Sequence, residues 1–289
     1  MKVKAFFDQR TSSLTYVSYD EVERIGVVID SVLDFDVASG RTWTESADAV
    51  ARFLEQERIS VPYVLDTHAH ADHFSAMPYF RERFGAKTVM GADIVKVQRV
   101  FRDVFNLGDD FLCDGRQFDL LLQDGEMLDV GPFELEALHT PGHTPACMSY
   151  RIQDSLFVGD ALFQPDYGTA RCDFPGGSAE ELYSSIHELY TRLPEDTRVF
   201  TCHDYQPGGR EVAFESTLSQ QRASNVQLSD STSKEDFVRF RDTRDATLSM
   251  PALMLPAVQM NIRAGQFPEP EENGISFLKL PLNAFGGKA

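Results

Sequence analysis

The stretch VLDTHAHADHF (64–74) places three of the chain's seven histidines and two aspartates within eight residues, Asp66 to His73, where a short apolar run ends. Further along, the same residue types recur at the ends of strand-like runs: His143 in HTPGHTP, Asp160 in FVGDALF and His203 in CHDY. A loop at a strand end lets a rigid sheet aim a side chain at a shared point. Neutral imidazole and carboxylate are borderline-to-hard ligands, suited to Zn, Fe or Mn. One histidine at such a place is ordinarily a satisfied structural residue. An H-x-H-x-D-H run, His68, His70, Asp72 and His73, joined by three further His/Asp sites, reads instead as a metal centre. His187, inside the helical pattern SSIHELY, reads as a surface or packing residue, and His139 in LHTPGHT as a turn-fixing one.

The elements that must position these groups follow from patterning. SLTYVSYD (13–20) and RIGVVIDSV (24–32) read as a hairpin, and TESADAVARFLEQERI (44–59) as a helix capped by Thr44 with Asp48 or Ser46. PYVLDT (62–67) is a strand entering the histidine turn, and FSAMPYFRERFG (74–85) a helix closed by Gly85. Four strand-like runs follow between 118 and 160: FDLLL, FELEALHT, CMSYRI and SLFVGD. SAEELYSSIHELYTRL (178–193) is an amphipathic helix capped by Ser178, and TRVFTCHDY (197–205) a strand. The rest is mostly helical and then Pro-rich. Two runs of strands, each followed by helices, predict an αββα sandwich, two stacked sheets with helices outside. No linker is visible, so residues 1–289 read as one domain, with roughly 210–289 as a C-terminal extension.

Composition narrows the partners. Hydrophobic content of 42% and charged content of 25% are those of a globular protein. A net charge of −18 argues against nucleic acid or an anionic membrane, and means that an anionic substrate needs a local basic group. The N-terminal residues lack the apolar core of a secretion signal, and no segment approaches the ~18 apolar residues of a membrane span. Cys113, Cys147, Cys172 and Cys202 show no CxxC spacing, which fits a reducing cytoplasm.

THAHADH (67–73), HTPGHT (139–144), GDALF (159–163) and CHDY (202–205) together resemble, in order and spacing, the motif series of the metallo-β-lactamase superfamily. That resemblance implies fold and metal, and leaves the reaction open, because hydrolases, oxidoreductases and nucleases share the scaffold. In a reading similar to glyoxalase II, His68, His70 and His143 would hold one Zn and Asp72, His73 and His203 a second. Asp160 would bridge them, and a shared hydroxide would attack a thioester. In a reading similar to the persulfide dioxygenases, His68, His143 and Asp160 would hold a single Fe(II) and leave three positions open. His70, Asp72, His73 and His203 would then surround that site.

Three segments favour the dioxygenase. GTARCDFPGGSAEELYSSI (168–186) resembles that family's loop after the iron aspartate, and CHDYQPGG carries its His-Asp-Tyr triplet. FPEPEENGISFLKLPLN does not resemble the glutathione-binding tail of glyoxalase II; it is closer to a bacterial persulfide dioxygenase-like branch, some of whose members are labelled β-lactamase-like hydrolases. The implied reaction is R-S-SH + O₂ + H₂O giving R-SH and sulfite, with glutathione persulfide as substrate. Arg171, in a loop shared with Asp173, would clamp the substrate carboxylate, and Tyr205 would donate a hydrogen bond in the pocket. Cys172 stands where the better-known dioxygenases commonly carry Thr. Beside Arg171 it reads either as a thiol of lowered pKa or as a small buried residue. Cys202 should face away from His203 by strand alternation. A non-catalytic sulfur-carrying protein on this scaffold predicts a missing ligand, and none is missing. The sequence leaves the persulfide's R group, the metal in vivo and a homodimer open.

Overall fold

In the computed structural model, which describes residues 1–284, the chain starts with β1 (Lys2–Asp8), β2 (Ser13–Tyr19), β3 (Ile25–Ile29), β4 (Val32–Asp36) and β5 (Arg41–Trp43). Next come α1 (Glu45–Glu57), β6 (Ser60–Leu65), β7 (Phe74–Ser75), α2 (Met77–Phe84), β8 (Lys87–Gly91), α3 (Ile94–Phe105) and β9 (Leu120–Leu122). The second half contains β10 (Met127–Asp129), β11 (Glu134–His139), β12 (Met148–Ile152), β13 (Ser155–Phe157), α4 (Ala179–Arg192) and β14 (Arg198–Phe200). It continues with β15 (Glu215–Thr217), α5 (Leu218–Ser224), α6 (Lys234–Asp245) and α7 (Met254–Asn261).

Two six-stranded sheets result, ordered β1-β2-β3-β6-β8-β9 and β10-β11-β12-β13-β14-β15, with a small sheet β5-β4-β7 beside them. Strand alternation sorts the side chains into layers. Val27, Ile29 and Leu65 face the other sheet and pack with Leu135, Ala137, Tyr150 and Phe157. Val28 and Val64 point the opposite way, onto Val50, Leu54, Met77 and Phe101 of α1, α2 and α3. Across the molecule, Leu182, Ile186 and Leu189 of α4 and Phe237 of α6 cover Leu156 and Val199. This is the αββα sandwich expected from the sequence.

Several elements differ from expectation for local reasons. FDLLL contributes only β9, which pairs parallel with β8 and so joins the first sheet. The helix foreseen from residue 74 begins at Met77, because Phe74 and Ser75 pair with β4; Gly85 closes it in a left-handed conformation as expected. At α1, Thr44 bonds side chain to side chain with Asp48 (2.8 Å), while Asp34 of β4 accepts from the Ser46 amide (2.9 Å). Ser178 does cap α4, accepting from the Glu181 amide. The last expected strand stops at Phe200, and β1, β8 and α3 lie in segments where the sequence suggested no element.

The C-terminal segment is tied to the histidine turn by one buried amide. Asn261, at the end of α7, donates through Nδ2 to the carbonyls of His70 and His73, both at 2.8 Å, and accepts from the Ser75 amide at 2.9 Å. An apolar side chain there would strand three buried backbone groups, each at about 1–3 kcal/mol. Asn261→Leu should therefore lower unfolding stability by about 3 kcal/mol or more, read from urea denaturation. A loss below about 1 kcal/mol would show that the turn does not depend on this amide.

Candidate metal centre

Topology brings the polar groups together. β3 and β6 run parallel, as do β13 and β14, so the chain leaves all four strands toward one edge of the sandwich. Asp30 follows β3, the histidine turn follows β6, Asp160 follows β13 and His203 follows β14; His143 joins from the loop between β11 and β12. Backbone bonds lock the two sheets at this edge, Met148 N to Thr67 O (2.8 Å) and Leu14 N to Cys202 O (2.7 Å), and Cys202 N to Gly159 O (3.3 Å) joins the ends of β14 and β13. Gly159, at φ +53°, lies so close to Thr67 that a Cβ would stand 2.5 Å from its hydroxyl oxygen. The GDALF motif therefore needs its glycine.

Three imidazole Nε2 atoms converge on Asp160. His68 and His143 lie 3.9 and 3.7 Å from Oδ2, and His203 lies 3.4 Å from Oδ1 and 3.5 Å from Asp72 Oδ2. The opposite nitrogen of each ring is held. His143 Nδ1 donates to the Arg171 carbonyl (2.7 Å) and His203 Nδ1 to the Ser12 carbonyl (3.2 Å). Thr67 gives its hydroxyl proton to Asp30, and so accepts from His68 Nδ1 (3.0 Å). These contacts leave the Nε2 lone pairs facing inward. His70 is turned differently: its Nε2 donates to Asp30 (3.0 Å). His73 Nδ1 sits 3.0 Å from Asp72 and 3.2 Å from Ser13.

The donor atoms of His68, His143 and Asp160 all lie within 4.8 Å of one another, whereas His70 groups with Asp72 and His73, and His203 with Asp160 and Cys202. Asp160 Oδ1, His70 Nδ1 and His73 Nε2 are buried with no hydrogen-bond partner. Orphaned acceptors in a dry site are costly unless a cation takes them, so the residues present fit a bound metal ion. Burial, then the neighbouring imidazoles, push His68 and His70 well below the ordinary histidine range and keep them neutral. Burial opposes ionisation of Asp72, yet His203 and His73 hold it well below the carboxylate range; for His203, Asp160 and Asp72 outweigh burial and raise it.

The residues expected around the substrate fall differently. A cavity of ≈ 270 Å³ opens on Asp72, His143, Asp160 and His203, and Tyr205 forms part of its wall. The Tyr205 ring stacks on His203 (centres 5.5 Å apart, planes 12° apart), and its hydroxyl makes no hydrogen bond among the described residues. Arg171, expected to clamp the substrate carboxylate, is engaged with the protein. Its guanidinium holds Asp173 through Nε (2.5 Å) and Nη2 (2.6 Å) and the Ser249 carbonyl through Nη1 (2.7 Å). Asp173 is likewise occupied by Arg171. Of the two readings of Cys172, the placement favours the small buried residue: it is 7% exposed among apolar side chains, and burial pushes its thiol above the ordinary range. The nearby cation is Arg241, not Arg171. His139 bonds the Pro145 carbonyl (3.0 Å) and His187 stacks on Tyr183, as their contexts suggested.

Two site residues escaped the sequence reading. Asp30 ends an apolar strand, the same signal that flagged the other strand-end groups. Cys202 was expected to face away, but β14 ends at Phe200, so alternation does not extend to it; its sulfur groups with Asp160 and His203.

The family model described as Metallo-beta-lactamase superfamily matches residues 21–203. The chain is 48% identical to the Burkholderia pseudomallei (strain 1710b) protein called "Probable metallo-hydrolase", over 98% of this chain and 100% of that one. It is 49% identical to the "Beta-lactamase hydrolase-like protein" of Agrobacterium fabrum, over 99% of this chain but only 65% of that longer protein. It is 30% identical to "Persulfide dioxygenase ETHE1, mitochondrial" of Homo sapiens, over 91% and 88%. Among solved structures, that of ETHE1 from Myxococcus xanthus superposes with a TM-score of 0.73 at 28% identity, covering 92% of this chain and all of that one.

A buried thiol of raised pKa should resist labelling. Native protein treated with iodoacetamide at pH 8 should leave Cys172 unmodified by peptide mass spectrometry, and Cys172→Ala should keep turnover within about threefold of the parent. Rapid native labelling would contradict this placement.

Proposed function

Because the chain belongs to the metallo-β-lactamase superfamily, we propose that its site is that of a mononuclear non-haem iron dioxygenase, oxidising glutathione persulfide or a related low-molecular-weight persulfide to sulfite and thiol. The observation that carries this reading is the grouping of the donors. His68, His143 and Asp160 form a compact two-histidine, one-carboxylate set, whereas the donor atom of His70 groups with Asp72 and His73. His68, His143 and Asp160 would hold the ferrous ion, which would supply the redox chemistry that joins O₂ to a persulfide sulfur. The likeness to the persulfide dioxygenases supports the same reading.

The chain's own residues define the rest of the reaction space. A single carboxylate among the three candidate ligands would leave a divalent ion with a net positive charge, suited to an anionic persulfide sulfur. Phe163, Phe174 and Tyr167 line the cleft with aromatic surface and limit water beside the reacting atoms. Tyr205 offers a hydroxyl donor with no internal partner. Tyr205 is 43% exposed; the buried part of its environment, then the Asp160 and Asp72 carboxylates, raise its pKa.

A dinuclear zinc thioester hydrolase is the second reading. His70 Nδ1 and His73 Nε2 are buried without partners, as further metal ligands would be, and the relatives at 48–49% identity carry hydrolase names.

The dioxygenase reading predicts O₂ uptake and stoichiometric sulfite with glutathione persulfide, measured with an oxygen electrode and sulfite assay. His68→Ala should abolish both metal binding and uptake, while His70→Ala should retain a substantial fraction of its metal. Equal metal loss in the two variants, with thioester hydrolysis in the parent, would favour the hydrolase.

A further inference from the structure

Three arginines line the cavity beside the metal centre: Arg171, Arg241 and Arg244. Two are committed to the protein. Arg171 holds Asp173 and the Ser249 carbonyl. Arg241 is 2% exposed and bonds the Thr169 carbonyl and Gln227 Oε1, both at 3.0 Å, and Asp245 at 2.5 Å. Arg244 differs. It is exposed in the last turn of α6, and its guanidinium makes no hydrogen bond or ion pair among the described residues.

We propose that Arg244 binds an anionic group of the substrate, a carboxylate remote from the reacting sulfur; the assignment rests on the persulfide reading above. The metal end of the cavity is lined by Asp72 and Asp160, and the whole chain carries −18, so the surroundings repel a carboxylate unless a cation with free donors meets it. A guanidinium pairs bidentately with one carboxylate. Arg244 is well mounted for this. Arg241, three residues earlier on the same helix face, pins α6 to residues 169–172: it grips the Thr169 carbonyl, and its partner Asp245 accepts from the Cys172 amide at 2.7 Å. The helix is thereby fixed against the loop that also orients His143, while the Arg244 side chain stays available. The function foreseen for Arg171 passes to this residue, and Arg171 positions His143 through its carbonyl instead.

Binding, not turnover, tests the assignment. Titration calorimetry of the metal-loaded protein would compare glutathione with its diethyl ester, in which both carboxylates are masked. The parent should bind glutathione about tenfold more tightly than the diester. Arg244→Gln should remove that preference by weakening glutathione alone, and Arg239→Gln, on the same helix but outside the cavity, should leave it unchanged. Arg244→Gln that keeps the preference, or a parent that shows none or does not bind glutathione, overturns the proposal. Failure of the persulfide reading would look different: no sulfite from a protein that still distinguishes the two ligands.

Discussion

At the end of β3 a carboxylate sits without solvent, and the ligand geometry hangs on the three donors it receives. Asp30 accepts from the Thr67 amide (2.7 Å), the Thr67 hydroxyl (3.0 Å) and His70 Nε2 (3.0 Å). Burial raises its pKa, opposed by the nearby His68 and by the two Thr67 bonds, which favour the anion. The consequence is a set of assigned protons. Thr67, donating to Asp30, must accept from His68 Nδ1, which frees His68 Nε2 for the site; His70, donating through Nε2, keeps Nδ1 as its unpartnered acceptor. One carboxylate that touches no candidate ligand of the three-residue set thus fixes the tautomers of two histidines.

Asp30 can act this way because the backbone around it is over-determined. Its amide bonds Leu65 O (2.9 Å) and its carbonyl accepts from Thr15 (2.7 Å), which ties β3 to β6 and β2 at the point where the strands end. The C-terminal segment completes the frame from the other side. Asn261 holds the histidine turn by its carbonyls, and the buried Arg241–Asp245 pair holds the loop that carries Arg171. Buried ion pairs contribute little net stability when compared with well-packed apolar side chains, but they fix one arrangement over others. Here the arrangement fixed is a loop whose carbonyl orients His143.

The histidines and aspartates of the site were legible in the sequence because they gather at strand ends, and the two-layer fold was legible because strands and helices alternate in runs. What was not legible follows from tertiary context. Arg171 and Arg244 look alike in the sequence; only the placement of Asp173 and Ser249 shows that one is occupied and the other is not. Cys172 beside an arginine suggested an activated thiol, yet adjacency in the chain turned the two side chains to different surroundings. Cys202 was misplaced because alternation was extended past β14, and Asp30 was overlooked although it ends an apolar strand as Asp160 does, because its segment was taken only as half of a hairpin.

The claim on which the account rests is that the three-residue set, not the full ring of histidines, holds the metal. Metal analysis of protein purified anaerobically, with no metal added to the buffers, measures this directly. The account predicts one iron per chain, with electron paramagnetic resonance of the nitric oxide adduct showing a single high-spin ferrous site. Two zinc ions per chain would contradict it and assign the unpartnered nitrogens of His70 and His73 to metal.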